Sequence, residues 1–119
     1  MDPEKLTIQQ NNKDHFLSGK PLVVESKQLG LGAIIQLHED GRIRTTFMSE
    51  NGAELVEILR QYGGLFGFTR FILEKNCGIT SETKRDSGEL LWAGVFDPET
   101  MNREEFGKKI SEINESSST

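Results

Sequence analysis

The chain has 119 residues, of which 34% are hydrophobic and 28% are charged, and its net charge is -5. This length suits one domain with one core, and the charged fraction is typical of a water-exposed surface around that core. No run approaches the roughly 20 apolar residues of a membrane span, so the sequence does not predict a membrane partner. The acidic residues are spread evenly along the chain, and nucleic-acid binding needs clustered cations, so a nucleic-acid partner is not predicted either.

The N-terminal quarter is expected to contain two strands separated by a polar loop. The stretch "KLTI", from Lys5, predicts a short strand, and "QQNNKD" after it predicts a polar loop or a weak edge. The stretch "PLVVES", from Pro21, is a better strand because its paired valines are β-branched and fit a pleated surface.

The segment "GAIIQLHEDGRIRTTFM" predicts a hairpin whose loop length decides the register. A two-residue Asp40-Gly41 turn would set apolar residues opposite polar ones. A three-residue loop ending at Gly41 aligns the apolar faces and places glycine at the left-handed position that such loops require. The predicted register pairs Leu37 with Ile43, Ile35 with Thr45 and Ala33 with Phe47.

The next segment, "SENGAELVEILRQYGG", predicts a helix, since Leu55, Leu59 and Tyr62 recur at helical spacing. Asn51 is the expected N-cap, and Gly63 supplies the left-handed residue that commonly ends a helix. The following "FTRFILE" is apolar on both faces, which favours a central strand.

Two further strands and a second helix complete the prediction. The stretches "GITSETK" and "ELLWAGVF" are expected to form a hairpin around "RDSG", with Asp97-Pro98 ending its second strand. The stretch "NREEFGKKISEIN" predicts a helix with Asn102 as its N-cap. Its apolar stripe, which should face the sheet, contains Phe106, Ile110 and Ile113.

This order of elements predicts an α+β fold, with a mostly antiparallel sheet of five to six strands and two helices packed on one face. Residues 1–113 are expected to form this single domain. The polar end, residues 114–119, has too little apolar surface to bury, so a disordered tail is predicted there.

No residue pattern predicts a catalytic, metal or cofactor site. The glycines of "YGGLFG" follow a predicted helix, where exposed carbonyls repel phosphate, which argues against a phosphate loop. His15 and His38 lack the spacing of a metal site. Cys77, the only cysteine, is interpreted as a half-buried apolar residue, with an exposed reactive thiol as the alternative.

Two groups of residues are candidate partner-binding sites. In the predicted hairpin, His38, Arg42 and Arg44 share one face and form a small cationic patch that suits a carboxylate or an acidic segment. The alternative is an ordinary solvated face. The second group, Leu65 and Phe66, follows the helix-ending glycines. These residues either form an exposed anchor for a partner protein or fold back onto the last helical turn and close the core.

These observations favour a non-catalytic, cytoplasmic protein-interaction module, such as an adaptor, a small chaperone or a regulatory or inhibitor-type protein. Its expected partner is another protein, or a second copy in a homodimer, bound through a sheet edge or face. A cytoplasmic location follows from the single cysteine and from an N-terminus without secretory features. The alternative is a small-ligand-binding or enzymatic domain with a pocket between helix and sheet, using Cys77, His38 and the two arginines.

Overall fold

The structure, a computed structural model, describes residues 7–8, 13–26, 30–50 and 52–117. These residues form an α+β fold, which confirms the predicted class, but they contain four α-helices where two were expected. In chain order the elements are β1 (Thr7–Ile8), α1 (Lys13–Leu17), β2 (Leu22–Ser26), β3 (Leu31–Leu37), β4 (Ile43–Ser49), α2 (Gly52–Gln61), α3 (Gly64–Cys77), β5 (Phe96–Met101) and α4 (Arg103–Ser117).

The strands form one sheet in the order β1-β2-β3-β4-β5. Strands β1 to β4 pair antiparallel, whereas β5 runs parallel to β4. Four strands have five to seven residues, and the two-residue β1 adds a short edge. The sheet is therefore mostly antiparallel, as predicted, although two of the segments expected to supply strands do not do so.

The hairpin between β3 and β4 has the predicted register. Leu37 lies opposite Ile43, and Ala33 lies opposite Phe47. The His38 N–H donates to the Arg42 carbonyl at 2.9 Å and closes the three-residue loop. Gly41 has a φ of 85°, the left-handed conformation for which glycine was expected here.

The prediction of a central strand at "FTRFILE" is wrong, because this stretch lies inside helix α3. Phe68, Thr69, Ile72 and Leu73 are fully buried in a row with helical spacing. A short run of apolar residues does not by itself distinguish a buried strand from a buried helix, and the apolar stripe continues to Cys77, too far for a typical strand.

The junction between α2 and α3 depends on glycines. Gly63 has a φ of 83° and ends α2, as predicted, and α3 starts at the next residue. Gly67, in the first turns of α3, lies so close to the Tyr62 carbonyl that a Cβ atom there would overlap it. The tight turn between the two helices therefore needs a residue without a side chain at position 67.

The predicted hairpin around "RDSG" is reduced to a single bridge between Lys84 and Leu90. The next strand, β5, starts later than predicted and runs through Asp97-Pro98 instead of ending there. The Ile43 N–H donates to the Val95 carbonyl, so the backbone groups of Val95 face β4. Because the backbone groups of successive residues alternate in direction along a parallel strand, those of Pro98, three residues later, face the open edge. Proline is tolerated there because no ladder hydrogen bond is lost.

Helix α4 has the predicted N-cap and stripe but covers the other face of the sheet from α2 and α3. The Glu105 N–H donates to the Asn102 side chain at 2.9 Å. Phe106 packs with Val23 and Ile34 in a small second core, whereas α2 and α3 pack against the main core. The expectation that both helices lie on one face is therefore wrong, since β2 and β3 carry apolar residues on both faces.

Four further predictions concern short segments and the ends of elements. Thr7 and Ile8 of the predicted first strand pair with β2. Lys13 begins the short helix α1, which the polar loop prediction missed and which buries Phe16 in the main core. Helix α4 continues to Ser117 and so extends into the segment 114–119, for which the sequence predicts a disordered tail. The expected N-cap Asn51 lies outside the described residues.

Replacing Gly67 with alanine is expected to destabilise the protein by about 1–3 kcal/mol, because the methyl group forces extra volume into a packed contact. Gly107, in α4, is the matched control because it is also helical but has open space around it. Gly107→Ala should stabilise the protein by about 0.5–1 kcal/mol. Urea denaturation measures both changes, and equal effects of the two substitutions would contradict the constraint at Gly67.

Candidate functional site

The two predicted binding groups lie on opposite sides of the sheet. Arg44 alternates with Ile43 and Thr45 along β4, so it faces the α4 side. Thr45, on the other side, accepts a hydrogen bond from Thr69 of α3 at 3.3 Å. Leu65 and Phe66 belong to α3 and therefore lie on that second side.

The predicted cationic patch of His38, Arg42 and Arg44 also contains carboxylates. The Arg42 guanidinium lies 3.5 Å from Asp40, and that of Arg44 lies 3.3 Å from Asp97. All four of these side chains are about half exposed, where an ion pair contributes little stability. The structure brings the three predicted residues together, but on a surface of mixed charge.

Helix α4 and the sheet enclose two clefts on this side. The smaller cleft, of ≈ 240 Å³, has His38 and Arg44 in its wall together with Glu99, Lys109 and Glu112. The larger cleft, of ≈ 520 Å³, lies toward the start of α4 and is lined by apolar side chains, among them Leu31, Met48, Phe106 and Ile110. Both clefts combine polar and apolar residues, since Ile34 and Ile113 also line the smaller one.

Leu65 and Phe66 have different environments. Leu65, in the first turn of α3, packs against the main core. Phe66 is 40% exposed. Its ring contacts Trp92 and Phe96 edge to face, at centroid distances of 5.3 and 5.4 Å. We call the group of Phe66, Trp92 and Phe96 the aromatic surface.

Arg70 and two exposed aliphatic residues lie close to the aromatic surface. Arg70 lies one helical turn after Phe66, and its guanidinium is 5.7 Å from the centre of the Trp92 ring. Leu90 and Val95, which are 46% and 58% exposed, flank Trp92 in the segment that leads into β5. The aromatic surface is therefore accompanied by exposed apolar side chains and by the Arg70 guanidinium.

Sequence reasoning found Phe66 but missed Trp92, Phe96 and Arg70. The run "ELLWAGVF" is nearly continuous in apolar residues and predicts a hairpin strand, a pattern that does not single out its aromatic residues. A partial signal was present in the single tryptophan of the chain, since tryptophan and arginine are enriched in binding sites. The contact with α3 could not be predicted while "FTRFILE" was taken as a strand.

Cys77 is the last residue of α3 and packs in the main core. Burial raises the pKa of its thiol above the ordinary value of 9.0, which disfavours the nucleophilic thiolate. The geometry thus supports the interpretation of Cys77 as a small apolar residue.

We expect Cys77 to react slowly with a disulfide reagent at neutral pH in the folded protein and rapidly in urea. Its thiol is buried, and its raised pKa keeps it protonated. Absorbance at the wavelength of the released aromatic thiolate measures both rates. Equal rates with and without urea would contradict the buried position.

Asp40 provides a pH-dependent contribution to the hairpin turn. The Arg42 N–H donates to its carboxylate at 3.0 Å. This hydrogen bond, assisted by the charges of Arg42, Arg44 and His38, lowers the pKa of Asp40 below the ordinary value of 3.8. A lowered folded-state pKa stabilises the fold above the unfolded-state value, and the stabilisation is lost as the pH falls through the folded-state value.

The difference in unfolding free energy between the protein and its Asp40→Asn variant should therefore be constant near neutral pH and decrease below pH 3.8. Urea denaturation across this range measures the difference. The carboxyl carbon resonance of Asp40, followed by NMR, gives its pKa directly, and a value at or above 3.8 would contradict the prediction.

The described residues show no arrangement of three or more His, Cys, Asp or Glu side chains that could hold a metal ion. Within the same part of the chain, every helix is too short or too polar to cross a membrane. Comparison of the chain with protein-family models, with curated proteins and with solved structures found no match.

Proposed function

We propose that this chain is a non-catalytic, cytoplasmic protein-interaction module that binds another protein through its aromatic surface. The observation that carries the proposal is the exposure of Phe66 in a cluster with Trp92 and Phe96. Exposed aromatic side chains that already pack on one another provide large contact area with little loss of side-chain entropy on binding. Such residues supply much of the binding energy of protein interfaces.

The position of Phe96 supports binding at a sheet edge. This residue begins β5, the last strand in the sheet order, and no other strand of the described residues pairs with its outer edge. Because Pro98 has no backbone N–H, this edge lacks one hydrogen-bond donor, and a strand from a partner could not pair along it without interruption. The proposal therefore assigns most of the binding to side-chain contacts on the aromatic surface, with the edge beside it.

Trp92 carries a feature that opposes stability. Its indole nitrogen is buried and has no hydrogen-bond acceptor among the described residues. A buried donor without a partner costs roughly 1–3 kcal/mol. Groups that break the ordinary packing rules are concentrated at functional sites, which supports a binding role for the surface that contains Trp92.

The separation of the reactive side chains supports a non-catalytic role. Cys77 lies in the core on the α3 side of the sheet, whereas His38 and Arg44 lie on the α4 side. A nucleophile needs its base within hydrogen-bond reach, and the sheet lies between these groups. The alternative enzyme that uses Cys77, His38 and the arginines together is disfavoured.

Small-ligand binding remains a second candidate because of the larger cleft beside α4. This cleft of ≈ 520 Å³ combines apolar walls with the ion pair of Arg103 and Glu50 at its rim. Its volume is within the range of ligand sites. Native mass spectrometry of the purified protein tests this alternative, which a retained small molecule would favour.

The Phe66→Ser variant tests the protein-interaction proposal. Because Phe66 is 40% exposed, we expect this change to cost less than about 2 kcal/mol of stability and to abolish association with the partner. Val56→Ser is the matched control, since Val56 is 55% exposed on α2. Size-exclusion mass measurement and pulldown from the native cytosol measure association, and urea denaturation measures stability.

A stable partner or dimer that is lost in Phe66→Ser and kept in Val56→Ser supports the proposal. A larger loss of stability would instead assign Phe66 to the core. If association survives in Phe66→Ser but is lost in the double variant Arg42→Glu/Arg44→Glu, the binding site lies on the opposite face of the sheet. The two arginine substitutions should not change the melting temperature, because the ion pairs of these arginines are exposed.

A further inference from the structure

Arg70 differs from the other arginines in its pairing. Five arginines have a carboxylate within ion-pair distance, namely Arg42, Arg44, Arg60, Arg85 and Arg103. Arg70 is the remaining one, and among the described residues it has no carboxylate partner. It therefore keeps its charge unpaired in a protein whose net charge is -5.

The unpaired charge lies beside the exposed apolar area. The Arg70 guanidinium is held near the Trp92 ring, 5.7 Å from its centre, and that ring contacts Phe66. Stacking on an aromatic ring engages the face of a guanidinium and leaves the N–H groups in its plane able to donate. These donors match the two oxygens of a carboxylate in geometry.

We propose that the aromatic surface binds a partner segment in which a glutamate or aspartate neighbours a bulky apolar residue. The carboxylate pairs with Arg70, and the apolar side chain packs on Phe66 and Trp92. This inference rests on the proposed function and adds the chemistry of the partner. Charge complementarity carries it, because Arg70, the one arginine without a carboxylate partner among the described residues, lies beside the partly exposed aromatic surface.

Other occupants fit these observations less well. A nucleic-acid strand would also stack on aromatic rings, but its phosphates need several clustered cations, and the chain has a net charge of -5. A basic segment would place its charge against Arg70. An acidic segment with apolar residues satisfies both the cation and the rings.

The test measures the affinity of dye-labelled, blocked octapeptides that carry two leucines beside one glutamate, glutamine or lysine. Fluorescence anisotropy gives the dissociation constants. Quenching of Trp92, the only tryptophan, reports contact at the surface itself. The protein variants are Arg70→Gln, Arg70→Glu and the matched control Arg60→Gln, whose arginine is exposed on α2. Circular dichroism establishes that each variant is folded.

The glutamate peptide should bind at least about tenfold more tightly than the glutamine peptide, as expected for one charge-assisted contact. Arg70→Gln should remove this preference, and Arg70→Glu should transfer it to the lysine peptide. Arg60→Gln should leave it unchanged. The preference should also weaken as salt increases, because the pair is partly exposed.

Equal affinity for the glutamate and glutamine peptides, with binding lost in Phe66→Ser, would overturn the acidic specificity while leaving the protein-interaction function in place. Absence of peptide binding, together with a dimer that Phe66→Ser dissociates, would overturn the inference in favour of a second copy. Tight binding of oligo(dT) in place of any peptide would overturn both the inference and the proposed function.

Discussion

The register of the β3–β4 hairpin is the constraint on which the remaining structure depends. Its three-residue loop places Ile35 and Phe47 on one face of the sheet and Arg44 on the other. Because side chains alternate along a strand, a slip of one residue would exchange the two faces. This register therefore positions both the main core beneath α2 and α3 and the smaller cleft beside α4.

The glycine-dependent turn between α2 and α3 then decides which residues of α3 face the sheet. Phe68 and Ile72 enter the core, and Thr69 donates a buried hydrogen bond to Thr45 of β4. With these residues turned inward, Phe66 is directed toward Trp92 and toward Phe96 at the start of β5. The same helix therefore contributes to the core with one face and to the aromatic surface with another.

The aromatic surface is assembled from parts of the chain that are distant in sequence. Phe66 and Arg70 come from α3, whereas Trp92 and Phe96 come from the segment that enters β5. Their contact requires β5 to pair parallel with β4 at the sheet edge. An edge strand leaves its outer side uncovered, so Trp92 and Phe96 pack against the main core and still remain partly exposed.

The sequence by itself determined the elements whose signals are local. The hairpin register followed from apolar alternation and Gly41, the end of α2 from Gly63, and the start of α4 from the Asn102 cap. The patch of His38, Arg42 and Arg44 followed from the same register, but the carboxylate Asp97 that pairs with Arg44 comes from a distant strand. Only the tertiary structure decided that "FTRFILE" is helical, that β5 passes through Pro98, and that Phe66 meets Trp92. A continuous apolar run suits a buried helix and a buried strand equally well, and the choice is made by the surfaces available to cover it.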